Sequence, residues 1–270
     1  MAITLSSLFM HNIGELRLEH TAKRIRAIHG GQTVVDSSAA VLVWEPKRVV
    51  PSYAVPEEDI ATVVRPVEVA GDDSHSFDRA PVWDPRVPFA VRLTAGHRVQ
   101  LEVGGGITID GFVADDPDLA GYVILDFDGF DTWLEEDDEI ISHPHSPFSR
   151  IDIRETSKRL RLTLDGIVVA ESSRARILFE TGLPARYYFP RGDVVAELKP
   201  SKTVTTCAYK GVATYYSLDG EGANLADLAW SYVNPLIDGE PIRDYVCFFD
   251  EKLDLSIDGT ARPRPQTPWS

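Results

Sequence analysis

Apolar and polar residues alternate with a period of two through most of this chain, and that period predicts strands rather than helices. In KRLRLTL (residues 158–164) charged and apolar positions alternate, Asp165 and Gly166 supply a two-residue turn, and IVVAES returns as the second arm of a hairpin. Short apolar runs follow at ARILFE, ARYYFP, TVTTCAY, VATYYSL, LAWSYV and DYVCFF, punctuated by Pro184, Pro190, Gly192, Pro200, Gly211 and Pro235. No window combines helical spacing with caps over a useful length. The expected class is mainly β, antiparallel, with little helix.

The pattern occurs twice. HTAKRIRAIHGGQTVVDSS (residues 20–38) aligns without a gap to ETSKRLRLTLDGIVVAESS (residues 155–173), a shift of 155 − 20 = 135. Trp44 and Glu45 then fall opposite Phe179 and Glu180, and Tyr53 opposite Tyr188. After a one-residue slip, Pro56 and Asp59 meet Pro190 and Asp193. LAGYVILDFDGFD against IRDYVCFFDEKLD sets Tyr122 over Tyr245 and Asp131 over Asp254. Two tandem copies of one small antiparallel domain explain these matches: residues 1–142, a His/Pro-rich linker at 143–151, and residues 152–270.

Composition narrows the function. With 270 residues, either copy is long enough for a core, and a net charge of −15 argues against a nucleic-acid surface. The acidic run LEEDDEII (residues 134–141) lacks the Gly turn and spaced oxygens of a calcium loop. Cys207 and Cys247 stand forty residues apart without a CxxC, and His143 and His145 lie beside Pro144 and Pro147, so no metal is expected. VGGG (residues 103–106) has no helix start behind it and reads as a turn, not a phosphate loop. No stretch has a leader's apolar core or the ~20 apolar residues of a membrane helix, and the expected place is a reducing cytoplasm with both thiols free.

Candidate chemistry gathers in KPSKTVTTCAYKGVATYY (residues 199–216). If Lys210 and Gly211 form a two-residue turn, cross-strand partners sum to 421 and one face presents Thr205, Cys207, Tyr209, Thr214 and Tyr216. Cys207 beside Lys210 is a candidate nucleophile, although a lone strand cysteine also reads as a small buried hydrophobe. Lys210 at a turn suits an anion, or is simply a surface lysine. Glu180, at the end of an apolar strand, is either an acid or base or the partner of Arg176 or Arg186. Tyr187 and Tyr188 point to opposite faces, and Trp230 shares a face with Tyr232 as pocket wall or core.

Four ordered segments carry a family resemblance: FETGLPARYYFP, CAYKGVATYY, LAWSY and YVCFFDEKLD. Together they make the second copy similar to the domain-of-unknown-function family 427, sometimes catalogued as nucleotidyltransferase-like and known from bacteria. Ala208 stands where that family usually has proline, which leaves the turn less rigid. The resemblance implies a small beta-tent-like domain. The first copy has no cysteine and no Tyr-Lys-Gly, so it is expected to have lost the site and to roof the second with Phe77, Trp83, Phe89 and Arg86.

Three functions stay open. One is an enzyme acting on a small polar or anionic metabolite, with Glu180, Cys207 and Lys210 as catalytic residues. In that reading Arg176, Arg186, Tyr188, Thr205, Tyr209, Tyr216 and Trp230 bind the ligand, no cofactor is implied, and the oligomeric state is open. The others are a non-catalytic small-molecule module and a protein-interaction domain.

Overall fold

The computed structural model describes residues 2–67, 81–218 and 225–267, and the chain divides into two compact units, residues 1–146 and 147–270. Both are built from antiparallel strands. The described residues hold one α-helix, Leu5–His11.

In the first unit the strands are β1 (Arg17–His20), β2 (Ile25–His29), β3 (Gln32–Ser37), β4 (Val41–Trp44), β5 (Ser52–Pro56), β6 (Val63–Pro66), β7 (Gly96–Gly104), β8 (Ile107–Ala114), β9 (Tyr122–Leu125), β10 (Thr132–Glu135) and β11 (Asp138–Ile140). They form a seven-stranded sheet ordered β1-β4-β5-β9-β8-β7-β6 and a four-stranded sheet ordered β11-β10-β2-β3. In the second unit they are β12 (Ile151–Glu155), β13 (Leu160–Leu164), β14 (Ile167–Ser172), β15 (Arg176–Glu180), β16 (Arg186–Phe189), β17 (Leu198–Cys207), β18 (Gly211–Leu218), β19 (Ala229–Ser231), β20 (Val246–Phe248), β21 (Asp254–Ile257) and β22 (Thr260–Ala261). Their orders are β12-β15-β16-β20-β19-β18-β17 and β14-β13-β21-β22, the same seven-plus-four plan.

Local detail repeats as well. The turns Gly30-Gly31 and Asp165-Gly166 all have positive φ (56°, 75°, 49° and 80°), as a two-residue hairpin loop requires. Each hairpin then carries a register shift at the same place, after Ala27 and after Leu162. Strand pairing also corrects two alignments. Val41 pairs Ala54 while Arg176 pairs Tyr188, so the shift has already fallen from 135 to 134 and Tyr53 lies over Tyr187, not Tyr188. The loop between these strands is one residue shorter in the second unit, which moves the slip upstream. Likewise Thr132 pairs Ile28 where Asp254 pairs Thr163, so Thr132 rather than Asp131 matches Asp254.

Alternation decides what each sheet face buries. In the second unit Leu160, Leu162, Phe189, Val246 and Phe248 fill the core between the two sheets. Their neighbours Tyr188, Trp230 and Cys247 turn to the outer face of the large sheet, where Leu178, Tyr232 and Ile242 pack with them. That outer face carries the candidate site.

Candidate functional site

The β17–β18 hairpin does not turn where the sequence suggested. Cys207 pairs Gly211, Thr206 pairs Val212 and Thr205 pairs Ala213, so partners sum to 418 and the loop is the three residues Ala208, Tyr209 and Lys210. Gly211 explains the shift. It takes φ +97°, and a Cβ there would sit 3.2 Å from the Leu236 backbone nitrogen, so this glycine is pinned at the start of β18 instead of the centre of the turn. The consequence is a change of face. Thr205, Cys207, Ala213 and Tyr215 share one side of the ribbon, while Thr214 and Tyr216, expected beside Cys207, lie on the other.

Lys210 is only 8% exposed, and its Nζ donates to Glu180 Oε2 at 2.5 Å. Burial pushes against the charged ammonium, yet Glu180 and then Cys207 outweigh it and raise the Lys210 pKa. The partly exposed Cys207 thiol lies close enough to the ammonium to favour its charged form as well. Glu180, Cys207 and Lys210 thus converge. Tyr232 belongs to the same cluster: burial first, then the nearness of Cys207 and Glu180, push its phenol well above the usual range. Tyr188 is fully buried, its hydroxyl accepts from Trp230 Nε1 at 3.2 Å, and burial raises it too.

The two arginines are engaged elsewhere. Arg186 donates to Asp250 at 2.6 Å and to both Glu251 oxygens at 2.6 and 2.8 Å, beneath the Trp230 and Phe249 rings. A guanidinium already shared by two carboxylates is a poor holder for an anionic ligand. Arg176 binds Glu155 and the Pro241 carbonyl and stacks on Tyr245, so neither arginine partners Glu180. Tyr216 takes a hydrogen bond from Arg191 at 2.8 Å and lies 3.2 Å from the Ser231 hydroxyl, on the face turned toward the small sheet. Thr205 Oγ1 meets the Tyr215 hydroxyl at 3.1 Å, Tyr209 is half-buried in the turn, and Trp230 is 8% exposed.

Sequence reasoning missed Asp250 and Glu251, set Tyr232 beside Trp230, and put Tyr215 on the face away from Cys207. The signal was present in FFDEK, where two adjacent acids close an aromatic strand, and in the alternation of VATYY once the register is known.

The first unit keeps an ion pair at the corresponding place, without the thiol. Glu45, the counterpart of Glu180, is 0% exposed and accepts from Arg92 Nη1 at 2.7 Å, with Arg48 Nε 3.9 Å away. Arg92 comes from the segment leading into β7, as Lys210 leads into β18. Here the pair is sealed by its own loop: Arg48 donates to the carbonyls of Val87, Pro88 and Val91 and lies against Trp83 and Phe89. Trp83 and Phe89, expected as a roof for the second copy, are therefore packed within their own unit, and Arg86 pairs Asp84. Phe77 lies outside the described residues.

No group of three or more metal-ligating side chains occurs among the described residues, and no described helix is long and apolar enough to cross a membrane. A shallow concavity of roughly 350 Å³ lies in the first unit against Leu8, Asn12, Glu15 and Arg17, far in sequence from the cluster above.

Fold and repeat define a class: a tandem antiparallel β protein with seven-plus-four sheets in each unit. Within it, residues 152–259 match the family model described as Domain of unknown function (DUF427), a stretch that runs from β12 through β21 and includes the β17–β18 hairpin. No curated protein matches the chain.

Proposed function

We propose that the second unit binds a small polar ligand at the hairpin tip, with Glu180, Lys210 and Cys207 as the polar end of the site. The observation that carries this reading is the state of the ion pair in the two units. Replacing a buried ion pair by apolar groups is often neutral or stabilising, so packing alone does not call for one. In the first unit a loop and an arginine close over Glu45; in the second the carboxylate keeps 18% exposure, and a partly exposed thiol lies near the same ammonium. A carboxylate, an ammonium and a thiol together offer acceptor, donor and nucleophile to one ligand. Tyr215 and Phe249, stacked at 6.4 Å and half-buried, offer an apolar wall. The two cysteines, unpaired in the structure, suit a reducing cytosol.

A second reading has its own support. The side chains of Arg92 and Glu45 are only 7% and 0% exposed, so the motif has a structural use in this fold. Thermal-shift screening of polar metabolites separates the two. A ligand that raises the melting midpoint of wild type but not of Lys210→Met supports a binding site; retention of that shift in Cys207→Ser assigns recognition to the ion pair, and its loss gives the thiol a part. A set of metabolites that moves neither protein, while Lys210→Met costs as much stability as Arg92→Met, assigns the pair to structure.

A further inference from the structure

The last strand of the second unit's large sheet has an open edge of an unusual kind. β17 ends the strand order and is ten residues long. Its first half is guarded by Lys199, Pro200 and Lys202, the residues natural sheets place on edges to prevent pairing. Its second half, Thr203-Val204-Thr205-Thr206-Cys207, has neither charge nor proline, and Val204, Thr205 and Thr206 are exposed, Val204 by 58%.

The other edges of the described strands in this unit are protected. β12 carries Asp152, Arg154 and Glu155; β14 is bridged through Ala170 to Val194; β22 is two residues long. In the first unit the corresponding edge, β6, has four residues that include Arg65 and Pro66. The unguarded segment is thus a property of the second unit.

We infer that this edge pairs with the same edge of a second copy of the chain, antiparallel about a two-fold axis at Thr205. The segment is self-complementary in that register. Thr205 meets the partner's Thr205, Val204 meets the partner's Thr206, and Cys207 meets the partner's Thr203. Thr–Thr pairs across an antiparallel ladder are favourable, and no like charges oppose one another: Lys202 falls opposite the partner's Ala208. The dimer continues one seven-stranded sheet into another. It sets the two Cys207 side chains ~14 Å apart along the strands, four residues at about 3.4 Å each. Each thiol then has a residue of the other copy at its side.

Light scattering on the full chain tests this. Wild type is expected to be a dimer at micromolar concentration. The double change Val204→Lys/Thr206→Lys sets ammonium opposite ammonium twice without touching the intramolecular ladder, and is expected to give monomer. Val204→Glu/Thr206→Glu is expected to do the same, and mixing the two variants is expected to restore a heterodimer. Monomeric wild type overturns the inference, as does a dimer that survives either charged variant; restored dimerisation in the mixture also excludes misfolding as the cause of the monomers.

Discussion

Removing the Lys210 ammonium has a consequence that can be worked out from its surroundings. The side chains of Lys210 and Glu180 are 10% and 18% exposed, so the pair lies mostly out of water. Breaking one side of a buried pair costs about 3–5 kcal/mol, because the remaining charge is stranded. The residual exposure of Glu180 puts Lys210→Met at the low end, about 3 kcal/mol, and Glu180→Gln at about 2 kcal/mol, because a stranded lysine can shed its proton. In Glu180→Gln/Lys210→Met no charge is stranded, and the loss is about 2 kcal/mol instead of the sum of about 5. The coupling of about 3 kcal/mol is at the upper end for side chains in contact. Urea unfolding followed by circular dichroism measures all three. Single variants that each cost less than about 0.5 kcal/mol would falsify the picture of a desolvated pair, since that is the scale of exposed ones. The double variant also isolates function: it keeps most of the stability, so a ligand-induced shift missing from it reports lost recognition and not lost fold. The pH dependence has a definite sign. Lys210 is raised in the folded state, so its contribution is complete below the ordinary lysine value of 10.5 and disappears only as pH rises past the folded value. Stability across the neutral range should be flat with respect to this group.

Other perturbations have equally direct readouts. Glu135 is pulled down to about 2: burial opposes, but hydrogen bonds from His145, Lys23 and Tyr53 outweigh it. Its stabilising contribution is present above pH 4.5 and falls away toward pH 2, and an acid titration should show Glu135→Gln with a shallower loss by about 2 kcal/mol after allowance for solvent screening. Arg186→Met strands Asp250 and Glu251 together and should cost about 3–5 kcal/mol in urea unfolding, more than any exposed arginine in the unit. Gly96 has φ +154°, and a Cβ there would meet the Val113 carbonyl oxygen at 2.1 Å, so Gly96→Ala should lower the first unit's stability by about 2 kcal/mol or more, whereas Gly105→Ala, with open space around it, costs only its positive φ.

How far the sequence could be read depends on the range of the interaction concerned. The hairpins at Gly30-Gly31 and Asp165-Gly166 were legible because the turn chemistry lies within the two residues that make the turn. The β17–β18 hairpin misled because Lys210-Gly211 looks like the same device, while the position of Gly211 is set by Leu236, twenty-five residues away. A change of three in the pair sum is odd, so it exchanged faces: Tyr216 left the face that carries Cys207 and Tyr215 joined it. The repeat was legible to the residue through the first four strands of each unit, because a gapless shift of 135 runs through them, and blurred where loop length changed. Ion pairing was the least accessible layer. Glu180 has three basic residues within reach of its neighbourhood by sequence, and nothing local says that Arg186 is claimed by Asp250 and Glu251, which arrive from β20 more than sixty residues later. The same reasoning explains why the first copy read as empty. Its carboxylate survives as Glu45, but the cation became Arg92, four residues ahead of β7 where Lys210 directly precedes β18, so the motif vanished from the sequence while the charge pair stayed in the fold.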